Sequence, residues 1–490
     1  MERASGILLP VFSLPGEYGI GTFGKEAYKF VDFLKKSKQK YWQVLPLGET
    51  GCGNSPYSSY STFALNPYFI DLDELINEGL LTKDDCKCLD TDEKYVDYER
   101  LDKHKLDVLR TAYKNADSEL LSLSKEFEKE NIWLHSYALY MALKEEFNML
   151  PWNEWQDNIR LKNKETVAYY ENLLYDKIRF YVFVQYIAFS QWNRLKKYAN
   201  DNGIKIIGDL PIYVAMDSAD VWAETENFAF DKNYKPLDVA GVPPDYFSEE
   251  GQLWGNPLYD WDKMKEDGYG WWIRRIDGAN KLFDIIRIDH FRGLSAYWAV
   301  PSDEKTAKNG EWRKGPGIDF INRMKGWFGG INIIAEDLGI LDDDVRELLK
   351  QSGFPGMKVL EFAFDSSRNS DYLPHKYDRN CVCYCGTHDN ATLKEWLTEG
   401  DKEETDFAKE YFRIDDNSNF NYGIIFGGMA SVADLFVAQM QDYLELGAGH
   451  RTNEPGTQSG NWQWRMLPGE LTPELAQRIR KLTRIYGRLA

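Results

Sequence analysis

The chain predicts a (β/α)8 TIM barrel with inserted helical and loop subdomains, on three observations. Several short apolar, β-branched runs end on charged side chains. Ile285-Ile286-Arg287-Ile288 stops at Asp289 and His290, residues 204–208 at Asp209, residues 331–335 at Glu336 and Asp337, and residues 381–387 at His388 and Asp389. Burying a charge is costly, so an acid closing an apolar strand needs a reason to be there. In a parallel barrel the reason is chemistry, because active groups sit at the carboxyl ends of different strands. Secondly, eight strand candidates can be placed along the chain. Thirdly, helical patterns separate several of them, which favours a closed barrel over an open sheet.

The candidates are residues 6–9, 41–46, 204–210, 285–289, 331–336, 357–362, 381–385 and 440–444. An amphipathic helix over 23–38 joins the first two. Residues 342–349 form a helix with acids in the first turn and Gly353 beyond its end. The closing helix begins at Thr472-Pro473-Glu474, a cap followed by Pro at the first helical position. Residues 1–75 thus hold the first two strands and a turn-rich substrate loop, 76–175 a charged helical insertion, and 176–490 the rest of the barrel. Within that last part, 215–280 lacks clean periodicity and reads as long loops, or a lid, over the barrel mouth. Insertions of that size are usually functional.

The chain has 490 residues, 43% of them hydrophobic, enough for a large core. Its net charge of −19 repels phosphate backbones and anionic lipid, excluding nucleic acid and membrane surfaces as expected partners. Aromatics reach 15%, which fits either an aromatic core or platforms for sugar rings. Cys381, Cys383 and Cys385 alternate along one strand candidate, poor geometry for zinc and better suited to buried thiols. No apolar segment follows Met1-Glu2-Arg3, and the aromatic stretch 180–192 is too short to span a bilayer, so a cytoplasmic protein is expected. The oligomeric state is not legible.

Asp289, Glu336 and Asp389 are three acids at three strand ends. Paired carboxylates suit glycoside cleavage, one attacking the anomeric carbon while the other protonates the leaving oxygen. A third can steady the developing positive charge. Arg287, two residues before Asp289, shares its strand face and would keep it ionised. The competing reading is a set of structural ion pairs at the barrel rim. The chain contains no G-x-S-x-G elbow, P-loop or H-E-x-x-H pattern, and the G-x-G-x-x-G letters at 19–24 lack a preceding strand unit. No metal or cofactor is expected. The loop 54–60, with Tyr57, and the stretch 241–257, with Gln252, Trp254 and Asn256, hold aromatics outside any core period. They either pack down on the barrel or stack on sugars and bind hydroxyls.

Across nearly its whole length the chain resembles the 4-alpha-glucanotransferases of the amylomaltase or disproportionating-enzyme type, glycoside hydrolase family 77. The resemblance is carried by Ser55-Pro56-Tyr57, Ile207-Gly208-Asp209-Leu210-Pro211, the stretch 241–259, Arg287-Ile288-Asp289-His290-Phe291-Arg292, Ala335-Glu336-Asp337-Leu338-Gly339, Thr387-His388-Asp389-Asn390 and Asn453-Glu454-Pro455-Gly456-Thr457. It implies Asp289 as nucleophile, Glu336 as acid/base and Asp389 as transition-state stabiliser. It also implies sugar contacts by Ser55, Tyr57, Asp209, Gln252, Trp254, Arg287, His290, His388 and Asn461, with 241–259 as a lid over the acceptor path. Donor and acceptor would be maltooligosaccharides, in glycogen, starch or maltose metabolism. An α-glucan hydrolase would use the same acids; a non-catalytic glucan-binding protein would not need all three.

Overall fold

The computed structural model describes residues 2–91, 94–244, 248–339, 341–457 and 459–489. In chain order its strands are β1 (Ala4–Leu8), β2 (Tyr41–Gln43), β3 (Lys205–Leu210), β4 (Asp238–Val242), β5 (Gln252–Pro257), β6 (Ile285–Ile288), β7 (Ala296–Pro301), β8 (Glu311–Lys314), β9 (Ile333–Ala335), β10 (Gly356–Val359), β11 (Cys381–Tyr384) and β12 (Leu435–Gln439). Eight of them form one parallel sheet in the order β10-β11-β12-β1-β2-β3-β6-β9. The two ends meet where Ala335 N donates to Pro355 O (2.9 Å) and Met357 N to Asp337 Oδ1 (2.6 Å). With helices around it, this is a (β/α)8 TIM barrel.

Strand period builds its interior. Leu8, Ile207, Ile285, Ile334, Met357, Val359, Val382, Tyr384, Leu435 and Val437 belong to one buried cluster. Alternate positions, among them Ile206, Ile286, Ile288, Cys381, Cys383 and Phe436, belong to the larger core beneath the helices. The same alternation turns Arg287 inward, where its Nε lies 3.4 Å from Met357 Sδ.

Two expectations are corrected. The eighth strand is Leu435–Gln439, and residues 440–443 form a short helix instead. Leu-Phe-Val-Ala fits a sheet buried on both faces, whereas Met-Gln-Asp has weak strand preference. Residues 215–280 are not long loops. They contain β4, β5 and the helices Ala219–Ala223, Trp261–Glu266 and Gly270–Leu282. β4 and β5 join β7 and β8 in an antiparallel sheet ordered β5-β4-β7-β8. Its signal is masked by Gly241, Gly251 and Gly255 and by the exposure of β5 along most of its length. The sixth barrel strand also stops early, at Val359, and residues 360–362 wind into a 3-10 turn.

Between β2 and β3 the chain is helical. Helices Tyr98–Asn115, Ser118–Glu130 and Ile132–Glu146 are followed by Lys164–Leu173 and the 27-residue Tyr175–Asp201, which leads into β3. Asp97, Asp117 and Asn163 cap three of them through their side chains. Among the described residues, no helix is long and apolar enough to cross a membrane.

Candidate active site

The carboxyl ends of β3, β6 and β9 converge on one ion-pair system. Arg287 Nη1 donates to both oxygens of Asp209, each at 2.7 Å, and lies 3.0 Å from Asp289 Oδ1. Arg287 and Asp209 are almost fully buried, so their attraction acts with little screening. Tyr57 Oη, from the loop after β2, also donates to Asp209 Oδ2 (2.6 Å). Asp209 therefore fixes Arg287, and Arg287 fixes Asp289.

Glu336 is locked by backbone. His290 N donates to its Oε2 (2.6 Å) and Leu338 N to its Oε1 (2.7 Å). His290 can present that N–H because it adopts left-handed backbone (φ 49°), an uncommon conformation for a residue other than glycine. The Glu336 carboxylate thus holds the residue next to Asp289. Burial raises the Asp289 carboxyl well above its usual range. Arg287 pulls it down, and the acids Asp209, Glu336 and Asp389 push it up again. Burial likewise raises Glu336, against Arg287 and the two N–H donors. The two acids therefore titrate as a unit.

Asp389 is held differently. Asn453 Nδ2 donates to its Oδ1 (2.6 Å), Arg451 Nη2 donates to its backbone carbonyl (2.6 Å), and His388 Nε2 lies 3.2 Å from Oδ1. Burial lowers the His388 pKa, so the ring is neutral near pH 7. Tyr57 stacks on it at 5.2 Å and 17°, and Trp462 packs against both rings. Burial and the Arg292 charge push His290 down to about 3, leaving it neutral as well. Trp254 meets the His290 ring edge-on at 4.9 Å.

A cleft of about 910 Å³ opens over these groups, lined among others by Ser55, Tyr57, Gln252, Trp254, Asp289, His388, Asp389, Asn453 and Trp462. The structure thus brings Ser55, Tyr57, Asp209, Gln252, Trp254, Arg287, His290 and His388 together with the three acids. Ser55 Oγ accepts from Tyr57 N (3.3 Å), bracing that turn, and Trp254 Nε1 donates to Gln252 Oε1 (3.1 Å). Asn256 also lines the cleft, but its Nδ2 is committed to Val214 O (2.8 Å). Asn461 accepts from Glu454 N (2.9 Å) and donates to Thr457 Oγ1 (2.9 Å), closing the loop that carries Asn453. The stretch 241–259 forms the β4–β5 hairpin beside the cleft, with Asp245, Tyr246 and Phe247 outside the described residues. Among the described residues, no cluster of His, Cys, Asp and Glu could hold a metal ion.

A 4-alpha-glucanotransferase family model matches residues 9–471. The chain is 50% identical over 483 residues to the 4-alpha-glucanotransferase of Clostridium butyricum, covering 98% of this chain and 99% of that one. It is 43% identical over 501 residues to the enzyme of that name from Thermus thermophilus, covering 100% of both. The amylomaltase of Streptococcus agalactiae, solved in complex with acarbose, superposes with a TM-score of 0.97 at 42% identity, with both chains fully covered. The chain belongs to the 4-alpha-glucanotransferases of glycoside hydrolase family 77.

Family membership does not by itself say which side chains meet at the mouth. Sequence reasoning missed Asn453 as the partner of Asp389, although Asn453 opens one of the motifs that carry the resemblance. It also missed Trp462, the third ring of the Tyr57–His388 stack. A signal existed, since Trp462 directly follows Asn461 in a loop with no helical or strand period. A further link was invisible in sequence. Tyr98 Oη, at the start of the helical region, donates to Trp462 O (2.8 Å), and Val96 N donates to Gln463 O (2.8 Å). The helical region thereby braces the loop that holds Asp389.

Proposed function

We propose that this enzyme disproportionates maltodextrins by a retaining, covalent mechanism, with Asp289 as nucleophile, Glu336 as acid/base and Asp389 as stabiliser of the transition state. The observation that carries this reading is the meeting of Asp289 and Glu336 at the ends of the paired strands β6 and β9, Asp289 against Arg287 and Glu336 held by two backbone N–H groups, with Asp289 and Asp389 lining one cleft. Burial raises both carboxyls, so the pair retains the proton that acid catalysis needs, and we assign that proton to Glu336.

Asp289 attacks C1 of the donor glucose from the β face as the C1–O4 bond breaks. The Glu336 proton passes to O4 and the reducing-end fragment departs. Glu336, now ionised, takes the proton from the 4-hydroxyl of an incoming sugar. That oxygen attacks C1 and Asp289 leaves as carboxylate. Two inversions restore an α-1,4 bond. Asp389 opposes the positive charge at C1 in both steps. Tyr57, Trp254, His290 and His388 offer ring faces and neutral polar edges to sugars, with Ser55 and Gln252 among the hydroxyl partners. Asp209 and Arg287 act from below, through Asp289. The β4–β5 hairpin screens the intermediate from water, so sugar rather than water is the acceptor. We place the enzyme in the cytoplasm, in glycogen, starch or maltose metabolism. The free thiols Cys86, Cys88, Cys381, Cys383 and Cys385 are consistent with a reducing compartment.

Incubation with maltotriose tests the activity. The expected products are glucose and a ladder of longer maltodextrins with little net gain in reducing ends. One new reducing end per cleavage would make the protein a hydrolase.

A further inference from the structure

The cleft is large for a small-ligand pocket, and part of its wall comes from outside the barrel. Met149, in the turn after helix Ile132–Glu146, lines it together with Tyr60, Met216 and Asp217. This turn is unusual. Asn148 and Met149 are both left-handed (φ 53° and 61°), although neither is glycine, and the Met149 side chain is left 46% exposed. Such backbone persists only where surrounding structure enforces it, and it concentrates at ligand sites.

The enforcing group is Lys144, whose side chain is 1% exposed. Its Nζ donates to Met149 O (2.7 Å), Leu150 O (3.0 Å) and Asp217 Oδ2 (2.6 Å). The other Asp217 oxygen accepts from Tyr140 Oη (2.5 Å) and Trp152 N (3.1 Å). Lys144 Nζ also lies 5.2 Å from the centre of the Tyr60 ring. One buried cation therefore ties together the strained turn, the loop after β3 and an aromatic ring at the cleft wall. Asp217 is occupied by these partners, so what the wall offers a ligand is a ring and a thioether, the surfaces suited to the C–H faces of a sugar.

We propose that Tyr60 and Met149 form an apolar seat for an additional glucose unit of a long α-1,4-glucan, positioned by Lys144 and Asp217, and that this seat sets the preference for long over short chains. This rests on the glucan-transfer reading above. The helical region thus acts on substrate length as well as on the fold.

The test compares kcat/KM for maltotriose and maltoheptaose in wild type, Met149→Gly and Tyr60→Ala. Glycine tolerates left-handed backbone, so Met149→Gly removes the side chain while relieving strain, and its Tm should equal or exceed that of wild type. In each variant the maltoheptaose-to-maltotriose ratio should fall about fivefold, mostly through KM of the longer chain. An unchanged ratio in either variant overturns the seat. Reducing-end counts on the wild type, taken in the same assays, report separately on transfer against hydrolysis.

Discussion

Two acids of this site are held by the barrel, and the third is held by a loop. Asp289 and Glu336 take their positions from strand ends, a buried arginine and backbone N–H groups. Asp389 depends on Asn453 and Arg451, more than sixty residues further along the chain. Exposure follows the same division, at 27% for the Asp289 side chain and 44% for Asp389. Bond making and proton transfer require fixed geometry, which a sheet supplies. A stabilising charge tolerates a softer mount, and loops that also contact sugar can set it on binding.

The largest effect that would sharpen this contrast is at the proposed nucleophile. Asp289→Asn is nearly isosteric and should keep the fold while turnover falls about 10³-fold or more. Retention of about a tenth of wild-type turnover would remove Asp289 from the role. The loop acid should respond in two grades. Asp389→Asn should lower kcat about 10²-fold, and Asn453→Ala about tenfold, the value of one charge-assisted hydrogen bond. If Asn453→Ala raises KM and spares kcat, Asn453 binds sugar instead of aiming Asp389.

Proton transfer gives a third handle. Burial raises Glu336, so it stays protonated above the ordinary carboxylate range, and kcat/KM should decline as pH rises through that raised value. Glycosylation of Glu336→Gln by α-maltosyl fluoride needs no acid, and its rate should lack this alkaline decline. A decline that persists in the variant would assign it to another group. The smallest change is expected at the β4–β5 hairpin. Trp254→Ala removes the ring that meets His290 and should raise the hydrolysis share of products about threefold. An unaltered ratio of reducing ends to free glucose would acquit the hairpin of excluding water.

The same division separates what was legible in sequence from what was not. Barrel strands announce themselves locally, as β-branched runs ending on charges, and seven of the eight were placed within a few residues. Their acids were legible for the same reason. The β5-β4-β7-β8 sheet was not, because glycines interrupt its alternation and β5 faces solvent. Helix Gly270–Leu282 hid because Arg275 occupies its buried face, where it donates to Ile212 O and to Thr62 Oγ1. Asn453 was not legible as the partner of Asp389 because it lies in irregular loop, where only long-range packing decides which side chain makes that contact.

The most direct test of the account is to trap the covalent intermediate. Glu336→Gln, given α-maltosyl fluoride without an acceptor, should accumulate a glycosyl-enzyme, and peptide mapping should place the sugar on Asp289. Sugar found on Glu336 or Asp389, or rapid turnover with no adduct, would contradict the assignment of roles to barrel and loop.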